Sequence, residues 1–165
     1  MKKVNSKGFT LIELLIVIAI IAVIAGAVFV ALDPLTRFKD TRDARRWSDA
    51  SNLLNAIKVD QVDNKGAYLA TIESAATGTV YMISSSQTGA GTGCAVTCTG
   101  GNSTACINLN GLVTAGKLGA LPQSPKSSGE WGSADITGYT LTISDTGSIT
   151  VAACEGENGT ISVTR

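Results

Sequence analysis

Glu13 is the residue whose position most directly suggests a chemical role. It is the fifth residue of a 24-residue run, Phe9 to Leu32, in which the only other polar side chain is that of Thr10. As a helix at 1.5 Å per residue, this run can cross a hydrocarbon layer about 30 Å thick. A carboxylate buried there costs on the order of 2.5–3.5 kcal/mol. Its charge therefore needs a cation, either from Lys7 or from a new amino terminus formed by cleavage after Gly8.

Four cysteines supply the second set of reactive groups, at positions 94, 98, 106 and 154. They follow the apolar run by at least 60 residues, in a segment expected outside the membrane, where disulfides persist. Cys94 and Cys98 could begin a four-cysteine zinc site, but Cys106 and Cys154 are too far apart in sequence to form a second close pair. The cysteines therefore predict two disulfides, and four cysteines allow three pairings.

Other chemistry is poorly supported by the composition. The sequence contains no histidine, which removes the commonest general base and the histidine-ligated metals. The glycine-rich segment from Gly89 to Gly93 lacks the lysine of a phosphate-binding loop. The precursor has 13 basic and 13 acidic side chains, a balance that gives no electrostatic case for nucleic-acid binding. We therefore predict that the protein is not an enzyme and has no direct nucleic-acid motif. Two glycan acceptor patterns, at Asn102 and Asn158, remain open.

The segment from Lys7-Gly8 through Phe9-Thr10-Leu11-Ile12-Glu13 into the apolar run resembles the processing signal of type IV prepilins and of type II secretion pseudopilins. The resemblance covers about residues 6–32. It implies that a membrane peptidase cuts after Gly8 and methylates the new amino terminus at Phe9. It also implies that Glu13 neutralises the terminal amine of a neighbouring subunit during assembly. A secretory signal peptide fits poorly, because its cleavage site follows the apolar core.

The resemblance leads to a structural function. We expect a subunit of a type IV pilus-like filament, serving adhesion, twitching motility, DNA uptake or a similar purpose. The alternatives are a pseudopilin of a type II secretion system and, from another class, an uncleaved membrane-anchored extracellular binding module. The implied partners are further copies in a helical filament, the prepilin peptidase, an inner-membrane assembly platform, other pilin-like subunits and membrane lipid before assembly.

The direction of insertion is decided by the resemblance. Five basic residues lie just after the apolar run, at positions 37, 39, 42, 45 and 46. Only three precede it, at positions 2, 3 and 7. A count of positive charges would place the wrong side in the cytoplasm. The family inserts with its leader cytoplasmic, which predicts a single-pass protein of the cytoplasmic membrane with its head outside. It would then enter an extracellular pilus or an extracytoplasmic pseudopilus.

The predicted fold is α+β and pilin-like, with a long kinked helix packed on a small antiparallel sheet. We divide the chain into a leader (1–8), a transmembrane and assembly half of the helix (9–32), a neck and head half (33–60) and a β-rich head (61–165). Pro34 should kink the helix, because proline removes a backbone donor and crowds the preceding turn. Arg42 and Arg46 interrupt the apolar face of the second half, which predicts an exposed neck. Its charged residues are either solvated, paired between subunits or in contact with lipid headgroups.

The head is predicted from alternation and turn residues. A strand is expected at 79–84, a long polar loop at 85–104 and a short helix within 109–121. Alternating apolar residues at 139–143, 149–153 and 160–164 predict a three-strand antiparallel meander.

Two further expectations for the head come from the resemblance. A carboxy-terminal cysteine loop implies pairing of Cys106 with Cys154, leaving Cys94 with Cys98. Ser124 stands where pseudopilins carry an aspartate before a calcium-binding loop, so no cofactor is predicted. Glu130 and Asp135 could still supply calcium ligands.

Overall fold

The computed structural model describes residues 8–87, 94–98, 102–125 and 136–165. Lys7, the 89–93 segment, Glu130 and Asp135 lie outside these residues. The chain separates into two compact units, one ending at Phe38 and the other spanning Lys39–Arg165. The elements are α1 (Leu11–Leu32), α2 (Pro34–Asp63), α3 (Ala70–Glu73), β1 (Val80–Ser84), β2 (Ala105–Asn108), α4 (Asn110–Thr114), β3 (Tyr139–Ile143), β4 (Ile149–Ala153) and β5 (Ser162–Thr164).

The long amino-terminal helix is interrupted at a single residue, Asp33. Its backbone is left-handed, with φ 37° and ψ 73°, and α2 begins directly afterwards at Pro34. Proline suits the first position of a helix because its missing N–H would have no helical partner there. The Asp33 carboxylate accepts a hydrogen bond from the Thr36 hydroxyl at 2.7 Å. The interruption is therefore a local restart of the helix at an Asp-Pro pair.

The head contains one five-stranded sheet in the order β2-β1-β3-β4-β5. The predicted strand at 79–84 and the β3–β4–β5 meander are confirmed, and β3–β4–β5 pair antiparallel. The sheet as a whole is mixed, because β1 and β2 pair parallel, and the purely antiparallel prediction was wrong in this respect. Parallel neighbours need a long connection that returns the chain to the same end of the sheet. The segment between Ser84 and Ala105 supplies it.

The sheet buries side chains on both faces. One face packs on α2 through Leu53, Leu54 and Ile57, all of which are buried in the main core. Met82 points the other way, because successive residues of a strand alternate between faces. It packs with Cys98 and Cys154 in a second, smaller cluster. The fold is therefore α+β and pilin-like, with α2 on one face of the sheet and a disulfide-linked loop on part of the other.

The helix expected within 109–121 is shorter than that range and ends at Thr114. Gly116 follows with φ 71°, a conformation that glycine adopts without steric cost and that commonly ends helices. The amides of Lys117 and Leu118 both donate to the carbonyl oxygen of Leu112, at 2.9 and 3.2 Å. These bonds satisfy the end of α4 and turn the chain toward Pro122.

Candidate functional site

The segment around the predicted cleavage point is extended and exposed. Gly8 and Phe9 precede α1, and the Phe9 side chain is 90% exposed. Thr10 is the N-cap of α1, with an extended backbone at φ −80° and ψ 152°. The Gly8–Phe9 bond therefore lies outside the helix. A peptidase could reach it without first unwinding a helical turn.

Glu13 forms a capping box with Thr10. Its Oε2 accepts hydrogen bonds from the Thr10 backbone N–H and from the Thr10 hydroxyl, each at 2.8 Å. The Glu13 N–H in turn donates to the Thr10 Oγ1 at 3.3 Å. The sequence prediction for Glu13 names only a cation and does not include these neutral donors, although the Thr-x-x-Glu spacing is a recognised helix-start signal. The donors orient the carboxylate, and because they are neutral they do not balance its negative charge.

The rest of α1 presents apolar side chains outward. None of its residues is buried within the chain, and by length and composition the helix could cross a membrane. Leaving this much apolar surface in water would be unfavourable at roughly 25 cal/mol per Å². The helix therefore needs lipid or other apolar helices around it.

All four cysteines form disulfides, but the pairing differs from the one that the resemblance implied. Cys94 pairs with Cys106, and Cys98 pairs with Cys154. The first bond closes a short loop beside β2. The second bond ties this loop to the end of β4, where Cys154 and Cys98 pack against Met82. The predicted pairing was wrong because pairing depends on which strands become neighbours, and β2 joins the sheet beside β1.

The residues considered for calcium are only partly described. Ser124 is buried, its hydroxyl accepts a hydrogen bond from Arg46 Nε at 3.1 Å, and its amide donates to the Thr137 carbonyl oxygen. Ser124 therefore has a structural role in the head. Within the described ranges, no cluster of three or more Cys, Asp or Glu residues could hold a metal ion. Calcium binding through Glu130 and Asp135, which lie outside the described residues, stays a prediction from the sequence.

A network of ion pairs joins the start of the head portion of α2 to the loop after β4, and we call it the polar clasp (Arg42, Asp43, Arg46 and Glu157). Arg42 binds Glu157 through two nitrogens, with Nη2 at 2.5 Å from Oε2. Arg46 is fully buried and contacts Asp43 Oδ1 at 2.7 Å and Glu157 Oε1 at 3.2 Å. It also donates to the Pro125 carbonyl oxygen at 2.7 Å.

The clasp also uses backbone donors. The Asp43 carboxylate accepts hydrogen bonds from the amides of Glu157 and Asn158, at 3.1 and 2.9 Å. The prediction of an exposed neck is therefore wrong at Asp43 and Arg46, which are buried under the loop that follows β4. The charged side chains of the clasp pair with one another within one chain. The bonds from Arg46 and Arg42 to Glu157 join residues that are 111 and 115 positions apart in the sequence.

The clasp shifts the ionisation of its members. Hydrogen bonds from Arg42 are the main reason that the pKa of Glu157 is lowered to about 2, with Arg46 contributing further. The same contact raises the pKa of Arg42 above its usual value. Nearby, burial raises the pKa of Tyr139, whose hydroxyl donates to Asp49 Oδ2 at 2.8 Å. Glu157 and Arg42 are thus both charged at neutral pH.

Comparison with known proteins identifies the amino-terminal segment. The family model of the prokaryotic N-terminal methylation motif matches residues 3–29, which include Gly8, Phe9, Thr10 and Glu13. The match supports the prepilin-type family of pilins and pseudopilins, whose members are structural subunits and substrates of a prepilin peptidase. No curated protein and no solved structure matches the chain. The apolar helix and the motif together indicate a membrane-anchored protein.

Proposed function

We propose that this protein is a structural subunit of a type IV pilus-like filament, made as a membrane-stored precursor that is cleaved after Gly8 and methylated at Phe9. The observation that carries the proposal is the methylation motif at residues 3–29, which leads directly into a helix with no buried residue. The extended, exposed Gly8–Phe9 bond supports cleavage at that position. The role is mechanical, and no catalytic step is assigned to the chain.

Cleavage would create a cation for Glu13, which has none among the described residues. Both atoms with which Thr10 contacts the carboxylate, its amide nitrogen and its hydroxyl, lie after the cut and remain in the mature chain. The capping box can therefore hold the carboxylate in one orientation before and after processing. The new Phe9 amine of one subunit would approach the preoriented carboxylate of its neighbour. Pairing inside an apolar assembly offsets the cost of burying either charge alone.

Helix α1 would have two apolar environments in succession. Before assembly its side chains face lipid, and after assembly they face the same helices of neighbouring subunits. The exchange buries little additional apolar surface from water, because the surface was never in water. Assembly machinery in the membrane would then supply the work of extraction, and the Glu13–Phe9 pair would set the register.

Topology and partners follow from the same proposal. The leader lies in the cytoplasm, α1 crosses the membrane once and the head stands outside. The disulfides support a head that folds where oxidation is possible. Partners are further copies of this chain, the prepilin peptidase, an inner-membrane assembly platform and other pilin-like subunits.

Intact mass measurement tests processing and location together. The protein is isolated from sheared extracellular material and from membranes of its native cells, and is measured reduced and unreduced. A mass of methylated Phe9–Arg165 in sheared fibres is expected for a pilin. The same species confined to membranes would favour a pseudopilin. Full-length protein in both fractions would overturn the proposal and favour an anchored binding module.

Glu13→Ala tests the register. We expect membrane insertion and cleavage to persist and the filament yield to fall at least tenfold, because the neighbouring amine loses its counter-charge. Leu14→Ala is the matched control, since it shortens an adjacent side chain on the same helix without changing charge. Filament yields for Glu13→Ala equal to those of the control would contradict the register role.

A further inference from the structure

The head carries an exposed tryptophan beside two carboxylates. Trp47 lies on α2 and is 46% exposed. It borders a cavity of about 360 Å³ together with Asp40, Asp43 and the Asn158–Ile161 segment. Asp40 is exposed, and its Oδ1 accepts a hydrogen bond from the side-chain Nδ2 of Asn158 at 3.0 Å. Among the residues that the structure describes, no basic side chain lines this cavity. Asp43 is already paired with Arg46, so Asp40 supplies the exposed negative charge of the rim. We call it the Trp47 patch.

A second surface on α2 has the opposite character. Val59 and Val62 are 50% and 76% exposed and line a groove of about 330 Å³ with Lys58, Asp63 and Arg165. Asp63, its one acidic side chain within the described part of the chain, is paired with Lys117. The groove therefore exposes the apolar surface of Val59 and Val62, with the cationic side chains of Lys58 and Arg165 on its rim. We call it the valine groove.

The two surfaces cannot meet within one chain. Trp47 and Val62 are 15 positions apart on the same helix, which at 1.5 Å per residue places them about 22 Å apart along its axis. Both border the seam between α2 and the last residues of the chain. Two different, complementary surfaces on one subunit make a head-to-tail contact, and such contacts generate open polymers or rings.

We propose that the Trp47 patch of one copy docks in the valine groove of the next copy, with Trp47 packed between Val59 and Val62. Asp40 then faces the Lys58 and Arg165 side of the groove. The occupant is a second copy because the chain supplies both the apolar anchor and the complementary charge. Tryptophan is also one of the residue types enriched at the energetic centres of interfaces. The inference rests on the proposed filament and adds a contact between heads.

Site-specific cross-linking tests the contact. Ala44→Cys, on the lining of the Trp47 patch, and Asn55→Cys, on the lining of the valine groove, are introduced together into the full-length chain in its native cells. Trp47, Val59 and Val62 are left in place, and assembled material is treated with a short bis-maleimide. The native cysteines are all in disulfides and do not compete. The double variant is expected to give a ladder of multimers on a denaturing gel, and each single variant is expected to give only monomer.

Each other outcome has a defined meaning. A double variant that is processed and assembled but remains monomeric overturns the inference and leaves the proposed function intact. Dimers from a single variant also overturn it, since they require like surfaces to meet. If the wild-type chain is not processed after Gly8, the proposed function, on which this inference rests, is overturned.

Charge exchange provides a second test. Asp40→Lys is expected to reduce the filament yield about tenfold, since two like charges would then face each other. Adding Arg165→Glu to it is expected to restore most of the yield. No restoration, in a double variant whose head unfolds at the wild-type temperature, overturns the proposed orientation.

Discussion

Neutralising Glu157 should weaken the head at neutral pH and have almost no effect in acid. The substitution Glu157→Gln keeps the shape of the side chain and removes the charge that binds Arg42 and Arg46. The pKa of Glu157 is lowered from 4.5 to about 2 in the folded chain. Because a folded-state pKa below the unfolded value stabilises the folded state at high pH, this stability is present above about pH 4.5 and is lost as the pH falls toward 2.

The size of the effect follows from the same shift. A difference of about 2.5 pKa units at roughly 1.36 kcal/mol each sets an upper bound of about 3.4 kcal/mol. Arg42 is about one-third exposed, and solvent screening of that contact reduces the expected value to about 1–2 kcal/mol. We therefore expect Glu157→Gln to lower the free energy of unfolding by this amount at pH 7. The difference from wild type should shrink toward zero near pH 2.

Denaturant unfolding of the full chain in detergent, followed by tryptophan fluorescence and circular dichroism between pH 7 and pH 2, measures this difference. Asp145→Asn is the control, because it removes a carboxylate from the exposed turn between β3 and β4. The control should stay within about 0.5 kcal/mol of wild type at pH 7. A Glu157→Gln difference that is constant from pH 7 to pH 2, or absent at pH 7, would refute the electrostatic account of the clasp.

Two further predictions concern the loops that the clasp and the disulfides hold. Replacing Cys98 and Cys154 by serine should lower the free energy of unfolding of the head by about 4 kcal/mol, and replacing Cys94 and Cys106 by about 3 kcal/mol, in the chain-entropy estimate. The first bond costs more to lose because it spans 56 positions and the second spans 12. Equal midpoints in denaturant for the two variants would contradict this ordering. Gly156→Ala should destabilise the loop after β4, because an added Cβ would lie 1.7 Å from the Gly159 carbonyl oxygen. Gly119→Ala is the control, since a Cβ there meets no atom within 4 Å. A melting temperature of Gly156→Ala equal to that of wild type would contradict the prediction.

Much of the processing segment could be read from the sequence because its signals are local. The apolar run and its length predict a membrane-crossing helix, and the residues around Gly8 resemble one kind of processing signal. The capping box of Thr10 and Glu13 is local in the same way, because it depends on two residues three positions apart. Alternation predicted β3, β4 and β5, because strands that bury one face show a period of two.

The sequence by itself thus determined the helix, its carboxylate and the meander, since each depends on residues a few positions apart. Only the tertiary structure decided the disulfide pairing, the parallel β1–β2 pair and the burial of Arg46. Arg46 lies beside acidic residues in an apparently solvated stretch of α2, and its partner Glu157 is 111 positions away. No local pattern encodes such a distance, because the chain between them must fold into a sheet before the two side chains can meet.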